Sequence, residues 1–184
     1  YQKECFTRVL KGHIALAQFK FPEGTAGTRF DVIARAALWA VGLDYKHGTG
    51  HGVGAHLNVH EGPQSISFRQ RPNEMGFVPG MTVSNEPGYY EEGQFGIRIE
   101  NIMVTKHVET AHNFGGYKFC GFDTVSFCPI QTRLVLPELL TDEEIAWLNA
   151  YHSQVRSALT PLMQEKFPEA MEFLLRETEP IGRA

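Results

Sequence analysis

The sequence predicts an α+β fold, and three features predict it. Apolar Phe6, Val9, Leu10, Ile14 and Ala17 recur at helical steps over residues 1–19. Residues 95–104 alternate cleanly between apolar and other side chains, as a strand does. Thr141-Asp142-Glu143-Glu144 is a capping box that opens a helix near the end of the chain.

The remaining elements follow in order. Residues 21–25, with Pro22 and Gly24, read as a turn after the first helix. Thr28 or Asp31 opens a second helix through Ile33, Ala37, Leu38 and Val41, and Gly42 stops it. Residues 43–61 are rich in Gly and His without a helical period, so they read as strand and loop packed closely around something. Met81-Thr82-Val83-Ser84 is a short strand ended by Glu86-Pro87-Gly88. Within residues 95–104, Arg98, Glu100 and Ile102 are expected on one face and Ile97, Ile99 and Asn101 on the other. Residues 113–118 form a loop, and residues 122–136 read as further strand with Pro129 at an edge or bend. The capping-box helix is expected over residues 142–159, burying Ile145, Leu148 and Val155. A last helix over residues 169–177 follows Pro168. Residues 1–113 are expected to be the core domain and residues 114–184 a C-terminal extension.

Composition narrows the function. The chain has 42% hydrophobic and 21% charged residues, ordinary for a soluble globular protein. Its formal charge is −4 and it has no clustered basic run, which argues against binding a nucleic-acid backbone. No apolar stretch approaches about 18 residues, so no membrane span is expected. Three cysteines at wide spacing argue against a disulfide framework and against a cysteine-type zinc site. With no Asn-x-Ser/Thr sequon, this favours a cytoplasmic location. The N-terminus carries neither an initiator Met nor a signal-peptide pattern, so the chain is expected to begin inside a longer polypeptide.

The chemistry gathers in a few positions. Four of the eight histidines, His47, His51, His56 and His60, fall within fourteen positions among Gly48, Gly50, Gly52 and Gly54. A lone histidine is more often structural than a ligand, but this density is not that of a lone histidine. Glycines let backbone approach where side chains would block it, and imidazoles serve as metal ligands or proton shuttles. Glu86 stands at a strand end, and Glu100 stands among isoleucines. A carboxylate in an apolar strand needs a partner, which would be a cation such as Arg98 or a metal. Gly50-His51-Gly52-Val53-Gly54-Ala55 fits a dinucleotide pattern but lacks the helix that must follow it. His60-Glu61 is no zincin motif, since Gln64 stands where the second histidine belongs.

Four blocks then carry a resemblance: residues 47–54 (His47 to Gly54), Asn58-Val59-His60-Glu61-Gly62-Pro63, Asn85-Glu86-Pro87-Gly88-Tyr89-Tyr90, and Gly96-Ile97-Arg98-Ile99-Glu100-Asn101. In order and spacing the chain resembles the aminopeptidase P (Xaa-Pro aminopeptidase) family of pita-bread metallopeptidases, most of all the cytosolic eukaryotic members. The tail, with Trp147-Leu148-Asn149 and Arg176-Glu177-Thr178, resembles their C-terminal extension.

The resemblance implies a pita-bread fold, a curved antiparallel sheet flanked by helices. Here it would be incomplete on its N-terminal side and followed by a helical extension. It implies two divalent ions, manganese by preference, held by two Asp, one His and two Glu. His51 would be the His ligand, and Glu86 and Glu100 the Glu ligands, with Glu100 bridging. Glu86 would also act as general base toward the water that two metals activate. His60 would bind or protonate near the scissile Xaa-Pro bond, His47 would contact the proline side, and Arg98 would orient the carboxylates. The implied substrate is a peptide with proline in second place, and the implied partner is a second copy, in a homodimer. Neither nucleic acid nor membrane is implied, and His56 takes no family role.

One departure stands out. The family's two Asp ligands lie upstream of the first helix seen here. The aspartates of this chain are Asp31, Asp44, Asp123 and Asp142, none in that context. Three of five ligands should not hold two ions, so the isolated chain is expected to be inactive. The alternative is a catalytically inactive pita-bread module that binds peptides or proteins. Such modules usually discard the ligand set, whereas His51, Glu86 and Glu100 are all retained here.

Overall fold

The structure, a computed structural model, describes residues 1–70 and 72–183. It comprises two compact units, Arg8–Ser126 and Tyr1–Thr7 with Phe127–Ala184.

The unit Arg8–Ser126 is built on an antiparallel four-stranded sheet in the order β1-β8-β7-β4. These strands are β1 (Phe21–Pro22), β4 (Thr82–Asn85), β7 (Asn101–Val108) and β8 (Phe119–Thr124). Most of helix α1 (Gln2–Ala17) and all of α2 (Asp31–Trp39) belong to the same unit. Two small ribbons complete it. One pairs β2 (Gly50–His51) with β3 (Ser65–Ile66); the other pairs β5 (Gly88–Glu91) with β6 (Phe95–Arg98). Along β7, Asn101, Met103 and Thr105 are buried while the residues between them are more open, which is the period of a one-sided strand. Phe21, Phe30, Phe77 and Phe122 pack ring to ring with centroids 4.5–6.3 Å apart. That cluster glues the sheet to the start of α2. Polar ties reinforce it: His13 of α1 meets Asn101 of β7 at 2.8 Å, and Asn85 of β4 donates to the His13 carbonyl.

The expected strand over residues 95–104 is two strands. β6 belongs to the ribbon with β5 and β7 to the main sheet, and Ile99 and Glu100 lie between them. Ile99 is buried and its amide donates to the Pro87 carbonyl at 3.3 Å, so the chain turns from one sheet into the other. The single face shared by Arg98, Glu100 and Ile102 does not survive that turn. Gly88 does not simply end a strand either; it begins β5, whose pairing puts it opposite Arg98.

In the second unit, the capping box is formed. Glu144 N–H donates to the Thr141 hydroxyl (3.2 Å) and Thr141 N–H to the Glu144 carboxylate (2.8 Å). Helix α3 (Asp142–Lys166) runs past the expected end, through Pro161. Proline removes one backbone donor and crowds the preceding turn, yet the helix continues until Phe167 N–H closes on the Met163 carbonyl. Leu148, Tyr151, His152 and Val155 are buried on α3, while Ile145 is only half-buried. Helix α4 (Met171–Glu177) follows a short turn at Pro168–Ala170. The expected strand over residues 122–136 stops at Thr124 and gives way to 3₁₀ turns at Thr132–Leu134 and Pro137–Leu139. Side chains of α3 satisfy this irregular backbone. Tyr151 Oη donates to the Cys128 carbonyl at 2.7 Å, and Ile130 N–H donates to His152 Nε2 at 3.0 Å.

Candidate metal centre

Two glycines bring the site together. β2 lies against β4 so closely that a Cβ on Gly50 would stand 1.9 Å from the Ser84 carbonyl oxygen. One on Gly52 would stand 2.0 Å from the Glu61 carbonyl oxygen. Only glycine permits that approach, and His51 is carried between the two. His51 N–H donates to the Ser84 hydroxyl (2.9 Å), which donates in turn to Glu86 Oε1 (2.9 Å). The Glu86 amide donates to the Thr49 carbonyl at 2.8 Å. His51 and Glu86 are thereby fixed to one another through backbone as well as side chains.

The His51 ring has a defined tautomer. Nδ1 lies 2.9 Å from the Gly52 carbonyl, an acceptor only, so Nδ1 carries the proton. Nε2 faces Glu86 Oε1, 3.2 Å away. Glu100, exposed at the turn between β6 and β7, completes the group. A donor atom from each of His51, Glu86 and Glu100 lies within 4.8 Å of the other two.

A cleft of about 300 Å³ opens here, lined among others by His47, His51, His60, Glu86, Arg69 and Arg98. The His60 ring stands 4.3 Å from the His51 ring, centroid to centroid. His47 donates from Nδ1 to the Gly48 carbonyl (2.8 Å), so its Nε2 accepts from the Tyr90 hydroxyl (2.9 Å). Arg98 Nε–H donates to the same hydroxyl oxygen at 2.8 Å. The three side chains form a directed series, Arg98 to Tyr90 to His47. Arg98 also places a guanidinium nitrogen 3.6 Å from Glu86 Oε2, so each Glu86 oxygen has its own neighbour. His56 is exposed and does not line the cleft.

Below His47 lies a buried polar knot. Arg35 binds Asp31 (2.5 Å), Asp44 (2.7 Å) and the backbone carbonyls of Tyr45 (2.6 Å) and His47 (2.7 Å). Thr49 donates to Asp31 at 2.7 Å. Burial opposes ionisation of Asp44, but the hydrogen bonds from Arg35, the Tyr45 amide and Trp39, with the Arg35 charge, together outweigh it and hold the carboxyl below the usual range. Burial pushes the Tyr45 phenol up, so it stays neutral.

The structure therefore brings together His51, Glu86 and Glu100, with His60, His47 and Arg98 around them. Residues not singled out from the sequence include Ser84, Tyr90 and Arg35. Ser84 stands two residues before Glu86, which lies just past the end of β4, so in extended backbone the two share a face. Asp31 and Arg35 have the i, i+4 spacing of a helical ion pair. Those two signals were present. The Tyr90–His47 contact joins residues 43 apart and had none.

One imidazole and two carboxylates suit one divalent ion with open positions, and hard oxygen donors suit manganese among others. A second ion finds no comparable ligand set beside it among the described residues. Asp31 and Asp44 are committed to Arg35, Asp123 pairs with Lys106 and Asp142 with Arg183.

Such an arrangement, on a curved antiparallel sheet, is that of a metallopeptidase. The pattern of metallopeptidase family M24 matches residues 1–107, and that of the C-terminal region of peptidase M24 matches residues 118–181. The chain belongs to metallopeptidase family M24. It is 54% identical over 182 residues to aminopeptidase P2 of Arabidopsis thaliana, covering 99% of this chain and 25% of that one. It is 55% identical over 176 residues to a probable Xaa-Pro aminopeptidase P of Coprinopsis cinerea, covering 96% of this chain and 28% of that one. The crystal structure of X-prolyl aminopeptidase from Caenorhabditis elegans superposes with a TM-score of 0.92 at 41% identity. That match covers 98% of this chain and 29% of the other, which is described as a cytosolic enzyme with a di-nuclear active site. The fold is thus the pita-bread fold, and the chain spans between 25% and 30% of the length of these relatives.

Proposed function

We propose that this chain supplies the His51, Glu86 and Glu100 share of a two-metal, manganese-dependent Xaa-Pro aminopeptidase centre. The observation that carries this reading is the convergence of the three donors within 4.8 Å, with His51 Nε2 facing Glu86. When bound, the ions would acidify a water molecule and polarise the scissile carbonyl. The residues of the chain do the rest. His51 and the two glutamates hold the cations. Glu86, whose Oε2 faces Arg98, takes the proton of the attacking water. His60, beside His51, hydrogen-bonds the substrate at the scissile bond and hands a proton to the departing proline nitrogen. His47, oriented by Gly48 and Tyr90, contacts the proline side. Arg98 keeps Glu86 turned toward the cations.

Residues 1–113 serve as the C-terminal part of the catalytic domain and residues 114–184 as an extension through which two copies pair. A cytoplasmic location is in keeping with the cytosolic C. elegans relative. The two further Asp ligands come from sequence outside this chain, so the isolated chain binds a divalent ion without hydrolysing peptides. Calorimetric titration with Mn²⁺ should give about one ion per chain, lost in His51→Ala. Xaa-Pro peptides should be left intact by the chain and cleaved by a longer protein that contains it, in a manner abolished by Glu86→Gln. Turnover by the isolated chain, insensitive to Glu86→Gln, would overturn the reading.

A further inference from the structure

A second set of donors converges on the β1-β8-β7 part of the sheet. Cys120 lies on the middle strand β8, opposite Phe21 of β1 and opposite His107 of β7. Directly opposed residues of an antiparallel pair project from one face, with Cβ atoms about 4.5–5.5 Å apart. Cys120 and His107 therefore share a face. The β1 ladder continues past Pro22, where Glu23 N–H donates to the Lys118 carbonyl at 2.9 Å. Glu23 stands two residues after Phe21 and so returns to the same face. Its Oε2 lies 2.9 Å from His107 Nε2. A donor atom from each of Glu23, His107 and Cys120 lies within 4.8 Å of the other two. Cys120 is buried, while Glu23 and His107 are exposed. The sulfur forms a floor and the other two a rim open to solvent.

We propose that Glu23, His107 and Cys120 form a zinc site, separate from the His51 centre. A thiolate, an imidazole and a carboxylate are the donors zinc takes, and three of them leave a fourth tetrahedral position for water. The thiolate makes the choice of ion. Sulfur favours zinc over the hard ions that suit the oxygen-rich His51 centre. Without an ion, burial and the Glu23 carboxylate hold the Cys120 thiol above its ordinary pKa, so the sulfur is protonated. Zinc binding expels that proton to solvent and forms the Zn–S bond, with no change of oxidation state. The wide cysteine spacing excludes a cysteine-rich site. It does not exclude one that needs a single cysteine and is assembled by strand register from positions far apart in sequence. The ion would fasten β1 to β7 across β8.

Cobalt(II) is the probe. The 184-residue chain, stripped with chelator and titrated with Co²⁺, should develop a near-ultraviolet thiolate-to-cobalt charge-transfer band that Zn²⁺ displaces. Only sulfur ligation gives that band, so the His51 centre is silent in it. His51→Ala and Cys128→Ser should retain the band; Cys120→Ser and His107→Gln should abolish it. Absence of the band in the parent chain, or its survival in Cys120→Ser, overturns the proposal. Because Cys120 is a core position, the exposed Glu23→Gln and His107→Gln provide a second reading. Each should leave the metal-free unfolding midpoint unchanged and weaken Zn²⁺ binding by at least about tenfold. Unchanged Zn²⁺ affinity in both would equally overturn it.

Discussion

The Ser84 hydroxyl accepts from the His51 amide and donates to Glu86 Oε1. One small side chain therefore sets both the position of β2 against β4 and the rotamer of a candidate ligand. Residues that orient metal ligands commonly carry about 10–100-fold of the affinity. Ser84→Ala is expected to weaken Mn²⁺ binding by that order while leaving the far-ultraviolet circular dichroism unchanged, measured by calorimetric titration. Under the proposed function Tyr90 would have the corresponding role toward the substrate side. Its hydroxyl links Arg98 to His47, so Tyr90→Phe breaks both hydrogen bonds at once. In a longer, active protein this should raise KM for Xaa-Pro peptides more than it lowers kcat.

Among the elements, helix α3 depends on its first turn. Thr141 and Glu144 satisfy two backbone donors that an α-helix otherwise leaves unpaired. Thr141→Ala should cost about 1 kcal/mol in chemical denaturation. This capping box was plain in the sequence, because the four residues that form it are contiguous. So was the period of α1. The break between β6 and β7 was not. Residues 95–100 alternate, and the one local sign of the turn is that the alternation slips at Glu100-Asn101, two polar residues in succession before Ile102-Met103-Val104. What breaks the strand is non-local: β5 claims one half and β4 the other. The end of β8 was hidden for the same reason, since the chain beyond it reads as a strand but Cys128 and Ile130 find their partners on α3. His51 was legible because glycines and histidines crowd one stretch, Glu86 and Glu100 because each is a carboxylate in or beside a strand, and their joining as ligands came from the resemblance of the four blocks. The Glu23–His107–Cys120 group was not, because only sheet register brings residues 84 and 13 positions apart to one spot.

At the scale of the whole chain, buried histidines tie stability to pH. His13 is buried between α1, Asn85 and Asn101, and burial lowers its pKa from 6.5 to about 4. The unfolded chain therefore binds the extra proton between pH 6.5 and about 4, and the folded one does not. Stability is complete above pH 6.5 and declines as the pH falls through that window, by up to about 1.4 kcal/mol per unit. His152 shifts in the same direction through burial and the nearby Arg156. Urea midpoints at pH 7, 6 and 5 should show the decline, and His13→Gln should flatten it in part, with His152 supplying the remainder.

The grip of Arg35 bears on how a ligand would be received. Its guanidinium is anchored by Asp31 and Asp44 and holds the carbonyls of Tyr45 and His47. The strand-poor loop that carries His47 is thus immobilised when the chain folds, rather than when a peptide arrives. A loose loop would lose about 0.5–1.5 kcal/mol of conformational freedom for each side chain frozen on binding. Here that entropy is lost in advance, and under the proposed function an incoming peptide would meet a surface already in its receiving shape.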